Sequence, residues 1–235
     1  MSRALFFALL LSAWLPPPPA AAADWVIPRS SYYVTEAQQR FPDFPPPPAA
    51  GSKEDAADLA ALKDWQLRRT PEDCARANAA GHAEFLQFFG DISPFADPLP
   101  AEAAVVLKRV KEDTDWAVYG VKGRFNRDRP FLRDAALEPC LGRAGGKAYP
   151  SGHAAISRVF ALLLADLAPE RRADFLARAD QAALDRVIGG VHHPTDIEAG
   201  KRLADGVYKA MKKNRRFKAD LAALRALLPA KAGKR

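Results

Sequence analysis

Cysteine, methionine and histidine are scarce in this 235-residue chain, at two, two and four residues. Two cysteines cannot organise a fold of this length, which excludes a disulfide-framework protein. Beyond the N-terminus there is no apolar run near the ~20 residues a membrane span needs. The best candidate, Val159 to Leu164, is stopped by Asp166. Alternating β-branched runs and hairpin dipeptides flanked by them are missing, which argues against a sheet. No repeat of solenoid length and no long block of like charge occurs. There is no HExxH pair and no clustered cysteine set, so His192, His193 and Asp196 are not read as metal ligands.

What is present is 49% hydrophobic and 27% charged residues, enough to build one domain with its own core, and a formal net charge of +7. That excess suits nucleic acid, anionic lipid or anionic substrates, and by itself does not choose among them. Met1 to Arg3, the apolar run Ala4 to Leu15 and the small residues Ala21 to Ala23 have the form of a cleavable secretory signal over residues 1–23. The mature protein is therefore expected to be periplasmic or secreted. In such a compartment Cys74 and Cys140 either pair or remain two separate buried thiols.

Residues 24–52 are rich in proline and aromatics, with the run Pro45 to Pro48, and read as an extended arm. From Ser52 the pattern turns helical. Ser52 caps a helix whose apolar positions are Ala56, Leu59, Leu62 and Trp65, and Thr70-Pro71 opens another expected to run to Phe89. Further helices are expected over 101–118, 151–167, 169–187, 194–213 and 217–228. The fold class is all-α, a multi-helix bundle over residues 53–230, followed by a basic tail at 231–235.

Three segments concentrate histidine and basic residues. In the first, Lys122 and Arg129 are two helical turns apart, on one face if the helix continues, and Pro130 turns Arg129 away from helix. An Arg fork and a Lys point charge suit an oxyanion. In the second, Pro150-Ser151-Gly152-His153, Ser151 caps a helix whose N-terminal N–H groups, beside Gly152, suit an anion, with His153 in the first turn. In the third, Arg186 precedes Gly189-Gly190, and Pro194 opens a helix that lets Asp196 reach back to His192. A carboxylate on one imidazole nitrogen fixes the tautomer and leaves the other as a nucleophile or base.

Taken together, Lys122-x6-Arg129-Pro130, Pro150-Ser151-Gly152-His153 and Arg186-x5-His192-x3-Asp196 resemble the three-part signature of the type 2 phosphatidic acid phosphatase superfamily, which includes vanadium haloperoxidases. With Arg127-x-Arg129-Pro130-Phe131 and Tyr149-Pro150-Ser151-Gly152-His153, the chain is similar to bacterial class A non-specific acid phosphatases. The resemblance implies the helical fold of that superfamily and a phosphomonoesterase that needs no cofactor. It implies His192 as nucleophile, oriented by Asp196, and His153 as general acid and then base. Lys122, Arg129, Ser151, Gly152 and Arg186 are implied to hold the phosphoryl oxygens. The chain departs from the family at Asp185, where Ser is common, at Phe125 and Ala154, and at His193-Pro194, where an aromatic step is frequent.

Three other readings remain open on sequence. The same cradle serves a soluble lipid-phosphate phosphatase or a vanadate-dependent haloperoxidase, and the basic charge suggests an exported anion- or nucleic-acid-binding protein. The last predicts a basic stripe interleaved with aromatics, whereas here the cations cluster around histidines. Expected partners are small phosphomonoesters, without nucleic acid or stable membrane insertion. Phosphate transfer to an alcohol is open as a side activity, and so is a homo-oligomer, since the arm can reach a neighbouring subunit.

Overall fold

The computed structural model of the protein describes residues 31–229; the signal segment, the first residues of the arm and the basic tail lie outside the described residues. The described residues are helical and contain no strand. Ten α-helices follow in order: α1 (Glu36–Gln39), α2 (Lys53–Arg68), α3 (Pro71–Ala79), α4 (Phe85–Phe89), α5 (Ala101–Phe125), α6 (Pro130–Arg133), α7 (Gly152–Leu167), α8 (Arg172–Ile188), α9 (Pro194–Met211) and α10 (Arg215–Ala226). None is long and apolar enough to cross a membrane.

Helix α7 is apolar nearly all round, so it occupies the centre. Ala155, Val159, Ala161, Leu163 and Leu164 are fully buried, and α7 packs on α8, α9 and α5. Phenylalanines fill one end of this core: Phe85 packs edge-on against Phe160, and Phe89 against Phe175. Because the N-terminus of α7, the C-terminus of α8 and the N-terminus of α9 meet at the other end, the second and third histidine segments are brought together there.

Several boundaries differ from the sequence expectation. The helix expected from Thr70 to Phe89 is two helices, because the chain reverses through Gly81 and Ala83, the latter at φ 55°. The reversal turns Phe85, Phe88 and Phe89 into the core. Helix α5 runs past Val118 to Phe125 and stops at Asn126, which caps it at φ 52°. Lys122 is therefore helical and Arg129 is not, so they are not on one helical face; the chain bends back at Asn126 to bring them together. Asn214, whose side chain accepts from the Arg216 and Phe217 N–H groups, begins α10 earlier than expected. On α2, Leu62 is buried and Leu59 and Trp65 pack partly buried beside it as expected, but Ala56 is exposed and Asp55 and Asp58 complete the buried face.

Residues 31–52 lie against the bundle. The backbone N–H groups of Tyr32, Tyr33 and Val34 donate to the carboxylate of Asp113 at 2.7–3.0 Å, and Tyr33 donates to Asp220. Arg124 donates to the carbonyls of Phe41 and Pro42, and the Tyr149 hydroxyl to that of Pro45. Cys74 and Cys140 form a disulfide that ties α3 to the segment before α7. By loop-closure entropy a bridge across 66 residues restrains the unfolded chain by about 4 kcal/mol.

Candidate active site

The site is built where the loop after α5, the start of α7, the end of α8 and the start of α9 converge. Two glycines make the convergence possible. A Cβ on Gly200 of α9 would lie 2.4 Å from the Ser151 carbonyl oxygen, so only glycine lets α9 press against the α7 cap. Gly190, at φ 78°, turns the chain between α8 and α9. The Ser151 N–H then donates to the Asp196 carbonyl at 2.9 Å, joining the two segments directly.

His192 is 3% exposed. Its Nε2 lies 2.8 Å from Arg129 Nη1. A guanidinium can only donate, so Nε2 carries the lone pair and Nδ1 the proton. Nδ1 faces Asp196 Oδ2 at 3.5 Å, long for a hydrogen bond, and has no other partner. Burial first, and Arg129 second, hold the His192 imidazolium well below its ordinary range, with Asp196 opposing. The Asp196 carboxylate, which burial alone would push up, is held well below the usual carboxylate range by the two histidine rings beside it.

His153, in the first turn of α7, directs Nε2 at the Gly81 carbonyl at 3.0 Å, and its ring packs edge-on against Phe88. A carbonyl only accepts, so Nε2 carries a proton and Nδ1 is the nitrogen left for exchange. Burial, followed by Arg186, lowers the His153 pKa to about 3. Ser151 caps α7 through the Ala154 N–H. A Cβ on Gly152 would meet only Val118 Cγ1 at 3.6 Å, an ordinary contact, so the fold itself does not require glycine there.

The three cations at this end share one property: their hydrogen bonds go to no carboxylate. Lys122 Nζ donates to the carbonyls of Lys147 and Pro150 at 2.7 Å. Arg129 donates to the carbonyls of Gly145, Gly146 and Val191 as well as to His192. Arg186 is 7% exposed and its buried Nε has no partner. Burial and then Arg129 lower the Lys122 ammonium to about 7 and Arg186 to about 10; burial brings Arg129 to about 10. Charges this buried and this poorly compensated are costly unless an anion joins them.

Asp185 does not bind Arg186. Its Oδ1 accepts from Arg76 Nε and Nη2 and from Gln181, so this carboxylate is paired with α3 and not with its neighbour in sequence. No local pattern assigns a role to Arg76, Arg127, Arg133, His193, Asp55 or Asp58, although all but the exposed Arg76 are buried or partly buried around the site. The only hint was the spacing of Asp55 and Asp58, which puts both on one face of α2. Among the described residues no group of three or more His, Cys, Asp or Glu is arranged to hold a metal ion. The larger cavities do not open on His192: one of about 440 Å³ lies between Pro45–Pro48 and α9, and one of about 420 Å³ between α3, α4 and α8.

Within an all-helical fold, His192 and His153 thus stand beside cations that make no hydrogen bond to a carboxylate, an arrangement whose chemistry suits an oxyanion. Residues 114–210 match the model of the PAP2 superfamily. It is 32% identical over 130 residues to an acid phosphatase of Zymomonas mobilis, covering 52% of this chain and 48% of that protein. It is 30% identical over 143 residues to the non-specific acid phosphatase of Providencia stuartii, covering 58% and 56%. The chain thus spans about half the length of the curated relatives it matches. In fold it is similar to a bacterial vanadium-dependent iodoperoxidase, at a TM-score of 0.60 and 19% identity over 77% of this chain and 54% of that one.

Proposed function

We propose that the protein is an exported phosphomonoesterase that works without a metal, through a phosphohistidine on His192. The observation that carries this reading is the trio Lys122, Arg129 and Arg186, buried or partly buried around two histidines with no hydrogen bond to a carboxylate. The acid phosphatases among its relatives support it. The chemistry follows from the tautomers. A phosphoryl oxygen takes the Arg129 N–H that now occupies His192 Nε2, freeing that lone pair to attack phosphorus. The P–O bond to the leaving alcohol breaks as His153, protonated at Nδ1, gives the alkoxide its proton. A water then attacks, His153 Nδ1 takes back a proton, and the P–N bond breaks. Fixed donors stabilise charge on the three equatorial oxygens, which is where most of the acceleration of phosphoryl transfer arises.

His153 is neutral in the empty site over most of the pH range, since burial first and the Arg186 and Arg129 guanidiniums after it bear on it. A bound dianion reverses that field and loads the proton the leaving group needs.

The test is hydrolysis of p-nitrophenyl phosphate by mature protein, with chelator, with vanadate, and with iodide and peroxide. Turnover unaffected by chelator and inhibited by vanadate is expected, together with a rapid-quench phosphoenzyme that is acid-labile and base-stable. His192→Ala is expected to abolish turnover; a loss of less than about tenfold overturns the assignment, because removing a nucleophile costs far more than that. Iodide oxidation without phosphatase activity would favour the haloperoxidase reading instead.

A further inference from the structure

Behind Asp196, on the side away from the three uncompensated cations, the structure contains a closed circuit of hydrogen bonds. Asp196 Oδ1 accepts from Arg127 Nη1 at 2.7 Å. Arg127 Nη2 donates to Asp55 Oδ1 at 3.0 Å, and Asp55 Oδ2 accepts from Arg133 Nη2 at 2.6 Å. Arg133 Nη1 lies 3.0 Å from His193 Nε2, and His193 Nδ1 returns to Asp196 Oδ2 at 2.8 Å. Asp58 braces the circuit: it accepts from Arg127 Nη2 at 2.8 Å, from the Thr195 N–H at 3.0 Å and from the Thr195 hydroxyl. His193 and Asp196 are fully buried, and Asp55, Asp58 and Arg127 nearly so.

The partners dictate the protonation of His193. Arg133 can only donate, so His193 Nε2 accepts, and the ring is neutral with its proton on Nδ1, directed at Asp196. The His193 backbone N–H donates to the same oxygen at 2.8 Å. Asp196 Oδ2 thus holds two donors from His193 at hydrogen-bond distance, while His192 Nδ1 stands back at 3.5 Å. The carboxylate said to orient His192 is itself placed by His193, and through it by two helices, α2 and α6, that are not otherwise part of the site.

We infer that His193 and Arg133, with Arg127 and Asp55, are positioning residues that aim the Asp196 carboxylate at His192 Nδ1 and so keep the His192 Nε2 lone pair toward the substrate. None of them reaches the reacting atoms. The circuit lets Asp196 remain ionised while buried, and it prevents the carboxylate from rotating off the axis of His192. Asp55 and Asp58 lie outside the segment 114–210 that matches the superfamily model, so this chain supplies that support from its own N-terminal part.

The inference rests on the phosphatase reading for its kinetic arm, and a spectroscopic arm keeps the two separable. His193→Phe keeps an aromatic ring and removes both nitrogens; His193→Asn returns an N–H near the position of Nδ1. For His193→Phe, kcat on p-nitrophenyl phosphate is expected to fall about tenfold or more with KM within a factor of about two, the usual scale for groups that orient a catalytic ligand. His193→Asn is expected to recover most of the loss. Arg133→Met, remote from Asp196 and partly exposed, is expected to lower kcat in the same way but less. Independently of turnover, 15N spectra of the wild type should show His192 as the Nδ1–H tautomer that Arg129 imposes, and His193→Phe or Arg133→Met should shift its Nδ1–H resonance as the carboxylate facing it moves. Unchanged kcat and unchanged His192 nitrogen shifts in a folded variant overturn the inference. Equal loss in the Phe and Asn variants, with KM rising in step, also overturns it in favour of a packing role. A wild type without phosphatase activity would sink the proposed function alone, leaving the 15N comparison to decide the circuit. Should His193→Phe fail to fold, Arg133→Met decides by both readouts.

Discussion

Two sets of cations stand around this one site and are built in opposite ways. Arg76, Arg127 and Arg133 each end on aspartate: Asp185, then Asp55, Asp58 and Asp196, then Asp55. Lys122, Arg129 and Arg186 end on carbonyls, on an imidazole, or on nothing. The first set is neutralised and stiffens the helix junction. The second leaves positive charge unspent in a nearly dry space, which opposes folding and favours an anion. The difference teaches that residue type does not assign the duty of a buried arginine here; its partners do.

Substituting one cation from each set is the sharpest way to break that comparison. Arg127→Met strands three aspartates and is expected to destabilise the protein by about 3–5 kcal/mol, the scale for removing one partner of a buried ion pair. Arg186→Met removes a charge that has no partner, so urea denaturation should show no loss of stability. Its kcat/KM should nevertheless fall about a hundredfold, as for one donor of an oxyanion site. Equal destabilisation by the two variants would contradict the division.

Charge left unspent also predicts a pH dependence. Burial and Arg129 bring the empty-site Lys122 pKa to about 7, and burial and Arg186 bring His153 to about 3. A bound dianion raises both, so anion binding takes up protons and is favoured at low pH. The contribution of Lys122 is fully present below about pH 7 and is lost as pH rises from there to its value in the complex. Sulfate, which does not titrate in this range, should bind more weakly by up to about tenfold per pH unit above pH 7. Calorimetry in buffers of different ionisation enthalpy should register proton uptake; proton release would reverse the assignment.

A smaller effect separates the two sides through their glycines. Gly152→Ala on the cradle side meets only Val118 at 3.6 Å and should leave the melting temperature unchanged while KM rises several-fold. Gly200→Ala on the scaffold side drives a methyl to 2.4 Å from the Ser151 carbonyl and should lower the melting temperature. A Gly152→Ala protein with normal KM would show that no ligand approaches that backbone.

The same division separates what is legible in the sequence from what is not. The cradle was legible because its residues sit in three short segments, where Ser151, Gly152, His153 and the His192 to Asp196 spacing each carry a local meaning. The scaffold was not. Asp55 reads as part of an acidic first turn of α2, nothing local singles out Arg133, and His193 reads as a departure from an aromatic position. Their meaning lies in contacts across 60 to 78 residues, and no local pattern records these. The helix running from Thr70 was over-extended for a related reason. Nothing local marks the reversal near Gly81, which is used to bring a carbonyl to His153 and phenylalanines to the core.

By itself the sequence determined the helical class, through apolar spacing and caps, and the chemical types gathered at the site, through short motifs that must stay adjacent to function. Only the tertiary structure decided which cations are neutralised, which histidine Asp196 binds more closely, and that Cys74 bonds Cys140. The physical reason is range. Helix formation and capping are settled over one to four residues, whereas pairing a buried charge depends on which helices close over it, and that is a property of the packed core.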